Sequence, residues 1–332
     1  MKKTGLAVIL FLLFCLGLVF WVAGAPLPPT PSGMVLIPAG SFKMGADEEF
    51  LRKRLHKQIW AGYEPEYINE TPEHEVYLGD FFIDEYPVTL EEYTRFLYNS
   101  QKMGISSRLM ALMDQEEKIP DLKDSPVIGV TWFDARRYAE WAGKQVPSER
   151  QWEKAARGGK GFFYPWGNDF PPAISRQFAE VAKVRTGRFG SRFLPVEHRS
   201  LAFDTSPYGV KLMGNPPAEW TSSPYRGYSG NSYFDKAYGK IYNIGGSGKG
   251  FRTPAYVIKK AEVDILGKSY KNPHYIRYCL IATFRGFSTP QYKGELLGFR
   301  CVKPVRRKGW RGFLLDAWQR WQEKRSLAGL YQ

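Results

Sequence analysis

SPVIGVTWFDARRYAEWAGKQVPSERQWEKAARGG, residues 125–159, sets the character of the fold. Two helix starts stand within it, Thr131 with Asp134 and Ser148 with Gln151, each a hydroxyl three residues ahead of an acid or amide. In that arrangement the two side chains satisfy orphan N–H groups of the first helical turn reciprocally. Behind the first start, Ala135, Tyr138, Ala139 and Ala142 recur on one helical face; behind the second, Trp152, Ala155 and Ala156 do the same. Gly158-Gly159 ends the second segment, as a left-handed C-terminal cap would.

Working outward, a third helix start lies at Thr89 with Glu92, followed by Tyr93, Phe96 and Leu97. Upstream, MVLIPAGSFKMG (34–45) alternates and closes on glycine, which suits two short strands around a turn, and HEVYLGDFFIDEYPVT (74–89) suits another strand pair. From residue 160 to 300, glycine, proline, tyrosine and tryptophan recur without long periodic segments. That pattern predicts a loop-rich body held by aromatic packing. No internal repeat is evident, and the helices are too few and too short for a parallel α/β domain. The expected class is α+β, with short antiparallel sheets and a few short helices.

At 332 residues with 16% aromatic side chains, the chain is long enough for a packed globular core. Its first 25 residues read as a separate element. Lys2 and Lys3 precede Gly5 to Ala25, an uncharged run of roughly the 20 residues needed to cross a bilayer. Ala23-Gly24-Ala25 resembles a cleavage site, but Pro26 would follow the cut and the run exceeds most signal-peptide cores, so an uncleaved anchor is favoured. With the lysines held inside, the expected location is the inner membrane, single-pass, with the domain facing the periplasm or exterior. Cys15 falls inside the run as a lipid-facing thiol. Residues 26–33, PLPPTPSG, form a stiff spacer, residues 34–303 the domain, and residues 304–332 a basic C-terminal helix.

The formal charge of +14 fits an anionic membrane surface, acidic glycans or an acidic partner protein. An exported chain does not meet nucleic acid, and none is expected as a partner; part of the charge is accounted for by solvated surface alone. In the C-terminal segment Trp310, Phe313, Leu314, Trp318 and Trp321 share one helical face while Arg311, Arg320, Lys324 and Arg325 lie largely elsewhere. Such a helix suits an anionic membrane, a partner's groove, or packing on its own domain. Cys279 and Cys301 could pair in an oxidising compartment. His56, His74, His198 and His274 are scattered, with no two at a metal-ligand spacing.

Seven phrases stand in an order that carries a family resemblance: MVLIPAGSFKMG, FFIDEYPVTLEEYTRF, the stretch 125–159, YPWGN, PYGVKLMGNPPAEWTSS, GGS and LGFRCV. Together they resemble the formylglycine-generating enzyme, or sulfatase-modifying factor, family over roughly residues 34–303. The resemblance implies a single-domain fold related to C-type lectins. Its best-known members use oxygen and a copper ion held by two cysteines to oxidise a client cysteine to formylglycine; others do different chemistry or only bind ligands.

The resemblance places the two copper cysteines third and eighth after the serine of Gly-Gly-Ser, and here those positions are Gly250 and Ala255. Cu(I) selects soft thiolates, which neither residue supplies, so copper-dependent chemistry is not expected and no cofactor is predicted. Ser247 matches the motif serine and is the sole catalytic candidate, although a serine among glycines is commonly a turn former. Arg252 stands between the two vacated positions, where a guanidinium would grip a carboxylate or sulfate, or form a structural salt bridge. Trp220, Asn215 and Arg285 are expected to line the same ligand-binding cleft. At the family's calcium phrase Lys211 replaces an oxygen ligand, and NPPAEW is one residue longer than usual before Glu219. The expectation is that Lys211 pairs with Glu219 as a structural stand-in for the ion, so that no calcium is bound there. Between Arg252 and Arg285 the chain is longer than the family's usual crossing, which puts an insertion beside the cleft.

Three functions follow from these readings: a membrane-anchored binding or accessory protein for a protein or peptide partner, an oxidoreductase using another metal in maturation of a secreted product, and a structural subunit of a cell-envelope complex.

Overall fold

The computed structural model describes residues 25–54, 69–100, 122–170, 202–215, 217–231, 255–260, 277–294 and 296–328. Residues 1–24, and with them the expected anchor and Cys15, lie outside the described residues, among which no helix is long and apolar enough to cross a membrane.

The chain opens with β1 (Met34–Ile37) and β2 (Gly40–Met44), then α1 (Glu48–Arg54), β3 (His74–Leu78) and β4 (Phe81–Asp84). Two strands do flank a turn at residues 38–39, but they do not pair with each other. β1 runs antiparallel to β4 (Val35 opposite Ile83), whereas β2 runs antiparallel to β3 (Phe42 opposite Val76). Gly40, at φ +144°, adopts a backbone conformation closed to most L-residues, and Asp80 Oδ1 accepts the Ala39 N–H at 2.7 Å. The chain is thereby passed from one small sheet to the other. β9 (Val302–Pro304) completes the first sheet in the order β1-β4-β9.

All three expected capping boxes are present. Thr89 caps α2 (Leu90–Asn99), Thr131 caps α3 (Trp132–Trp141) and Ser148 caps α4 (Glu149–Arg157), each reciprocated by the side chain at the third helical position. Gly158 closes α4 at φ +67°, and a Cβ there would stand 2.8 Å from the Pro207 ring, so space as well as conformation demands glycine.

A four-stranded sheet, ordered β7-β6-β5-β8, comprises β5 (Ala218–Pro224), β6 (Tyr256–Lys259), β7 (Arg285–Ser288) and β8 (Leu297–Gly298). Its pairings are antiparallel except for β5 with β8, which is parallel. Two cores lie on either side of α4 and this sheet. In one, α2 and α3 pack on Trp220 and Phe299, with Tyr93 stacked on Tyr138 at 5.8 Å and Tyr138 edge-on to Phe299 at 5.3 Å. In the other, Trp152, Ala155 and Ala156 of α4 meet Ile37, Phe42, Val76 and Ile83. Truncating a fully buried tryptophan such as Trp152 to alanine costs roughly 3–5 kcal/mol.

The possible pairing of Cys279 with Cys301 does not occur. Both are buried and not joined in a disulfide, they lie in different clusters, and burial pushes the Cys301 thiol well above its ordinary pKa.

α5 (Gly309–Leu327) returns along β3. It turns Gly312, Leu315 and Gln319 to the domain and leaves Trp310, Phe313, Leu314, Trp318 and Trp321 exposed. The aromatic stripe is therefore not the face that packs on the domain, although the Trp318 ring meets Tyr77 edge-on at 5.9 Å.

Candidate functional site

Trp152 of α4 lies near two consecutive lysines, the last residue of β6 and the one after it, with Lys259 Nζ 5.5 Å and Lys260 Nζ 6.0 Å from its ring centre. Strand alternation would send neighbouring side chains to opposite faces. Here both are fully buried, because Lys260 adopts a left-handed backbone (φ +65°), a conformation that costs a non-glycine residue on the order of 1 kcal/mol. That turn lets each ammonium reach a different buried carboxylate.

Lys259 Nζ donates to Glu153 Oε2 at 3.0 Å and to the Thr283 carbonyl at 3.2 Å. Glu153 Oε1 also accepts from the Gly45 N–H at 2.7 Å and from Arg157 Nη1 at 3.0 Å. Burial alone would raise the Glu153 pKa, but the charges of Lys259 and Arg157 outweigh it and hold the carboxyl below its ordinary value.

Lys260 Nζ donates to Glu219 Oε1 at 2.7 Å and to the carbonyls of Leu212 and Asn215, both at 2.9 Å. Glu219 is saturated: Trp152 Nε1–H reaches Oε2 at 2.7 Å, and Arg300 brings Nε to Oε2 at 2.7 Å and Nη2 to Oε1 at 2.9 Å. Desolvation opposes its ionisation, yet Arg300 and Lys260 together bring its pKa down to about 2. Asp204 closes the same loop by accepting the N–H groups of Gly214 and Asn215 and the Asn215 Nδ2–H.

This geometry corrects the expectation for Lys211. Its Nζ donates to Thr205 Oγ1 at 3.1 Å, while its carbonyl accepts from Arg300 Nη2 at 2.9 Å; it does not pair with Glu219. The cation that meets Glu219 and two loop carbonyls is Lys260, which arrives from β6, the strand carried by the longer crossing. Three oxygens at 2.7–2.9 Å around one ammonium are a hard-donor set already filled by a tethered charge, and a calcium ion does not fit alongside it.

The remaining cleft candidates divide. Ser247, Gly250 and Arg252 lie outside the described residues. Arg285 is not a ligand-facing residue. It is 2% exposed, forks onto Glu149 (Nε to Oε1 2.6 Å, Nη2 to Oε2 3.3 Å), and lies against the Tyr225 and Tyr228 rings at 5.0 and 4.1 Å. Trp220 is buried too, its Nε1–H donating to the Val130 carbonyl at 3.0 Å. Asn215 is buried, its Oδ1 without a hydrogen-bond partner among the described residues. All three are therefore buried parts of the framework.

Ala255 is described, and it tests whether copper fits. Its methyl packs with Tyr225 and Val257, and its carbonyl accepts the Tyr225 N–H at 2.9 Å. A hydrocarbon side chain in that packing offers a metal no donor. Beside it, Tyr256 stacks on Trp132 at 4.2 Å and Phe287, 40% exposed, leans on Tyr225 at 4.6 Å, giving the sheet an aromatic margin where the chain leaves segment 232–254. Among the described residues no three His, Cys, Asp or Glu side chains gather as a metal-ligand set.

One buried carboxyl stands apart from this neutralised network. Glu70 accepts from Thr283 Oγ1 at 2.5 Å and Tyr278 Oη at 2.9 Å, and burial raises its pKa to about 7 because these hydrogen bonds and the Lys259 charge offset desolvation only in part.

Sequence reasoning missed Lys259, Lys260, Glu149, Glu153 and Glu70. The one signal within reach was the Lys259-Lys260 pair directly after the apolar Tyr256-Val257-Ile258, a charge doublet placed where a buried strand should continue.

The family defined by the sulfatase-modifying factor enzyme 1-like domain matches residues 23–305. The Bacillus subtilis protein YfmG is 28% identical over 298 residues, covering 82% of this chain, while this chain spans 54% of that relative's length. The formylglycine-generating enzyme of Bos taurus is 29% identical over 323 residues, covering 84% of this chain and 76% of that enzyme. The Bos taurus protein called inactive C-alpha-formylglycine-generating enzyme 2 is 30% identical over 236 residues, covering 58% of this chain and 71% of that relative. The match over residues 23–305 takes in both cores and the Glu219 loop, and the chain belongs to the sulfatase-modifying factor (formylglycine-generating enzyme) family.

Proposed function

We propose that this protein is a membrane-anchored, extracytoplasmic member of its family that binds a protein or peptide partner in an accessory role and carries out no copper-dependent oxidation. The single observation that carries this reading is the replacement of both thiolate positions, Gly250 in sequence and Ala255 in a buried apolar contact with Tyr225 and Val257. Copper chemistry begins with two soft ligands, and the chain supplies neither. A relative whose name declares it inactive sits within reach at 30% identity, which supports a non-oxidising branch of the family. The anchoring rests on the uncharged run Gly5 to Ala25 preceded by Lys2 and Lys3.

Beneath the aromatic margin, the paired charges Lys259–Glu153, Lys260–Glu219 and Arg285–Glu149 make a rigid floor. Rigidity of that kind suits recognition, since a preorganised surface loses little entropy on binding. The test is co-expression of the full chain with a sulfatase client, followed by mass spectrometry of the client cysteine and metal analysis of the purified protein. An unmodified cysteine and no stoichiometric copper are expected; conversion to formylglycine would overturn the proposal.

A further inference from the structure

We infer that the outward face of α5 is a docking surface for an anionic lipid bilayer, laid parallel to the membrane beside the point where the apolar run enters the domain. The inference takes from the proposed function only that residues 5–25 hold the chain at a membrane.

The helix is fixed to the domain by its polar and small residues. Arg307 forks between Asp80 and Asp316, and Gln319 Nε2–H donates to Asp80 Oδ2 at 2.6 Å. Gly312 allows the close approach: a Cβ there would stand 2.3 Å from the Arg307 Cβ. Arg307 pulls the Asp80 carboxyl below its ordinary pKa despite partial burial, so the clasp stays charged at neutral pH.

With that side committed, the opposite side is aromatic. Trp310, Leu314 and Trp321 follow one another at spacings of four and seven, with Phe313 and Trp318 flanking them, and all five are 42–65% exposed. The charges are sorted as well. Both acids of the helix are turned away from this face, Asp316 held by Arg307 and Glu323 in reach of Arg150 at 3.4 Å. Arg320, Lys324 and Arg325 remain exposed at its borders, and Arg306 and Lys308 are exposed just before the helix. Tryptophan rings flanked by cations, with the acids withdrawn, are complementary to an anionic headgroup layer. A second copy of the same face would meet its own positive charge, which disfavours self-association.

Given the proposed anchor, the start of the described chain points to the same side. The apolar run ends at Ala25, and Pro28, Pro29 and Pro31 line a cleft of about 330 Å³ with Lys303, Pro304 and Arg306. The run therefore reaches the domain beside the segment that leads, three residues after Arg306, into α5.

The experiment uses the full chain with Leu314→Cys carrying a polarity-sensitive fluorophore, in a Cys15→Ser background; Cys279 and Cys301 are buried. The protein is reconstituted into vesicles of phosphatidylcholine with or without phosphatidylglycerol, and co-flotation reports the anchor separately from the label. Expected with phosphatidylglycerol is a blue-shifted emission quenched by spin-labelled lipid, with the quenched fraction falling more than about 10-fold in the combined variant Arg320→Glu, Lys324→Glu, Arg325→Glu. Water-like emission from chains that float with the vesicles would overturn the inference while leaving the anchor intact. Emission equally shifted in both vesicle types and indifferent to charge reversal would overturn anionic recognition. A shift that tracks protein concentration without lipid would assign the face to a second copy instead.

Discussion

Replacing Lys260 by methionine keeps most of the side-chain volume and removes the ammonium, which strips Glu219 Oε1 and the carbonyls of Leu212 and Asn215 of their shared donor. Arg300 and Trp152 still hold Glu219, so the carboxylate is left under-compensated without being wholly abandoned. Breaking one partner of a buried ion pair costs about 3–5 kcal/mol, a large share of the roughly 5–15 kcal/mol that stabilises a typical fold. For a chain of this size that loss lowers the melting temperature by roughly 4–7 °C. Lys260→Gly is the informative companion. It relieves the left-handed backbone at φ +65° and opens space between the three oxygens. If they form a cation seat, calcium at about ten times its dissociation constant should return about 1.4 kcal/mol to the glycine variant and nothing to the methionine variant. Thermal unfolding of the detergent-solubilised full chain, followed by tryptophan fluorescence with and without calcium, reads both effects. A Lys260→Met protein melting within about 2 °C of the parent would refute the reasoning, because the ammonium would then contribute almost nothing net.

Two further outcomes follow from the same electrostatics and packing. Glu70 has its folded pKa raised from 4.5 to about 7, so its stabilising contribution is complete below about pH 4.5 and is lost as the pH rises through about 7, a fall of about 3 kcal/mol. Glu70→Gln should flatten that part of the curve of stability against pH, measured by denaturant titration at a series of pH values; an unchanged slope would remove Glu70 as its source. Gly312→Val drives a side chain into the Arg307 Cβ and backbone, so α5 should detach and become sensitive to limited proteolysis while the melting of the remaining domain shifts little; an equally protected helix would show that the clasp does not need the close approach.

Much of the scaffold was legible because its signals are local. A capping box is four residues long, and Thr89, Thr131 and Ser148 each form theirs where the sequence placed it. The strands β1 to β4 were visible as alternation, but their pairing was not, since nothing within residues 34–45 says that Val35 will face Ile83 while Phe42 faces Val76. The site was read half correctly. A lysine does stand where Glu219 and two loop carbonyls converge, yet it is Lys260, 41 residues from Glu219, and not the neighbouring Lys211. Proximity in sequence was the wrong guide because a buried charge takes whichever partner the sheet brings within hydrogen-bond distance, and the β5–β6 ladder brings Lys259 opposite Glu219 and Lys260 just beyond it. Arg285 was assigned to a ligand for a similar reason: no local pattern distinguishes an arginine that lines a cleft from one that forks onto a buried Glu149.

By itself the sequence determined the α+β class, the starts of three helices, the family motifs and the absence of both thiolates, since each is a property of residue identity at short spacing. Only the tertiary structure decided which charges neutralise one another, that Cys279 and Cys301 remain apart, and that α5 turns its glycine and glutamine inward and its tryptophans out. Those outcomes depend on distances between segments up to 249 residues apart, which are fixed by how the two cores pack and cannot be written in any short stretch of the chain.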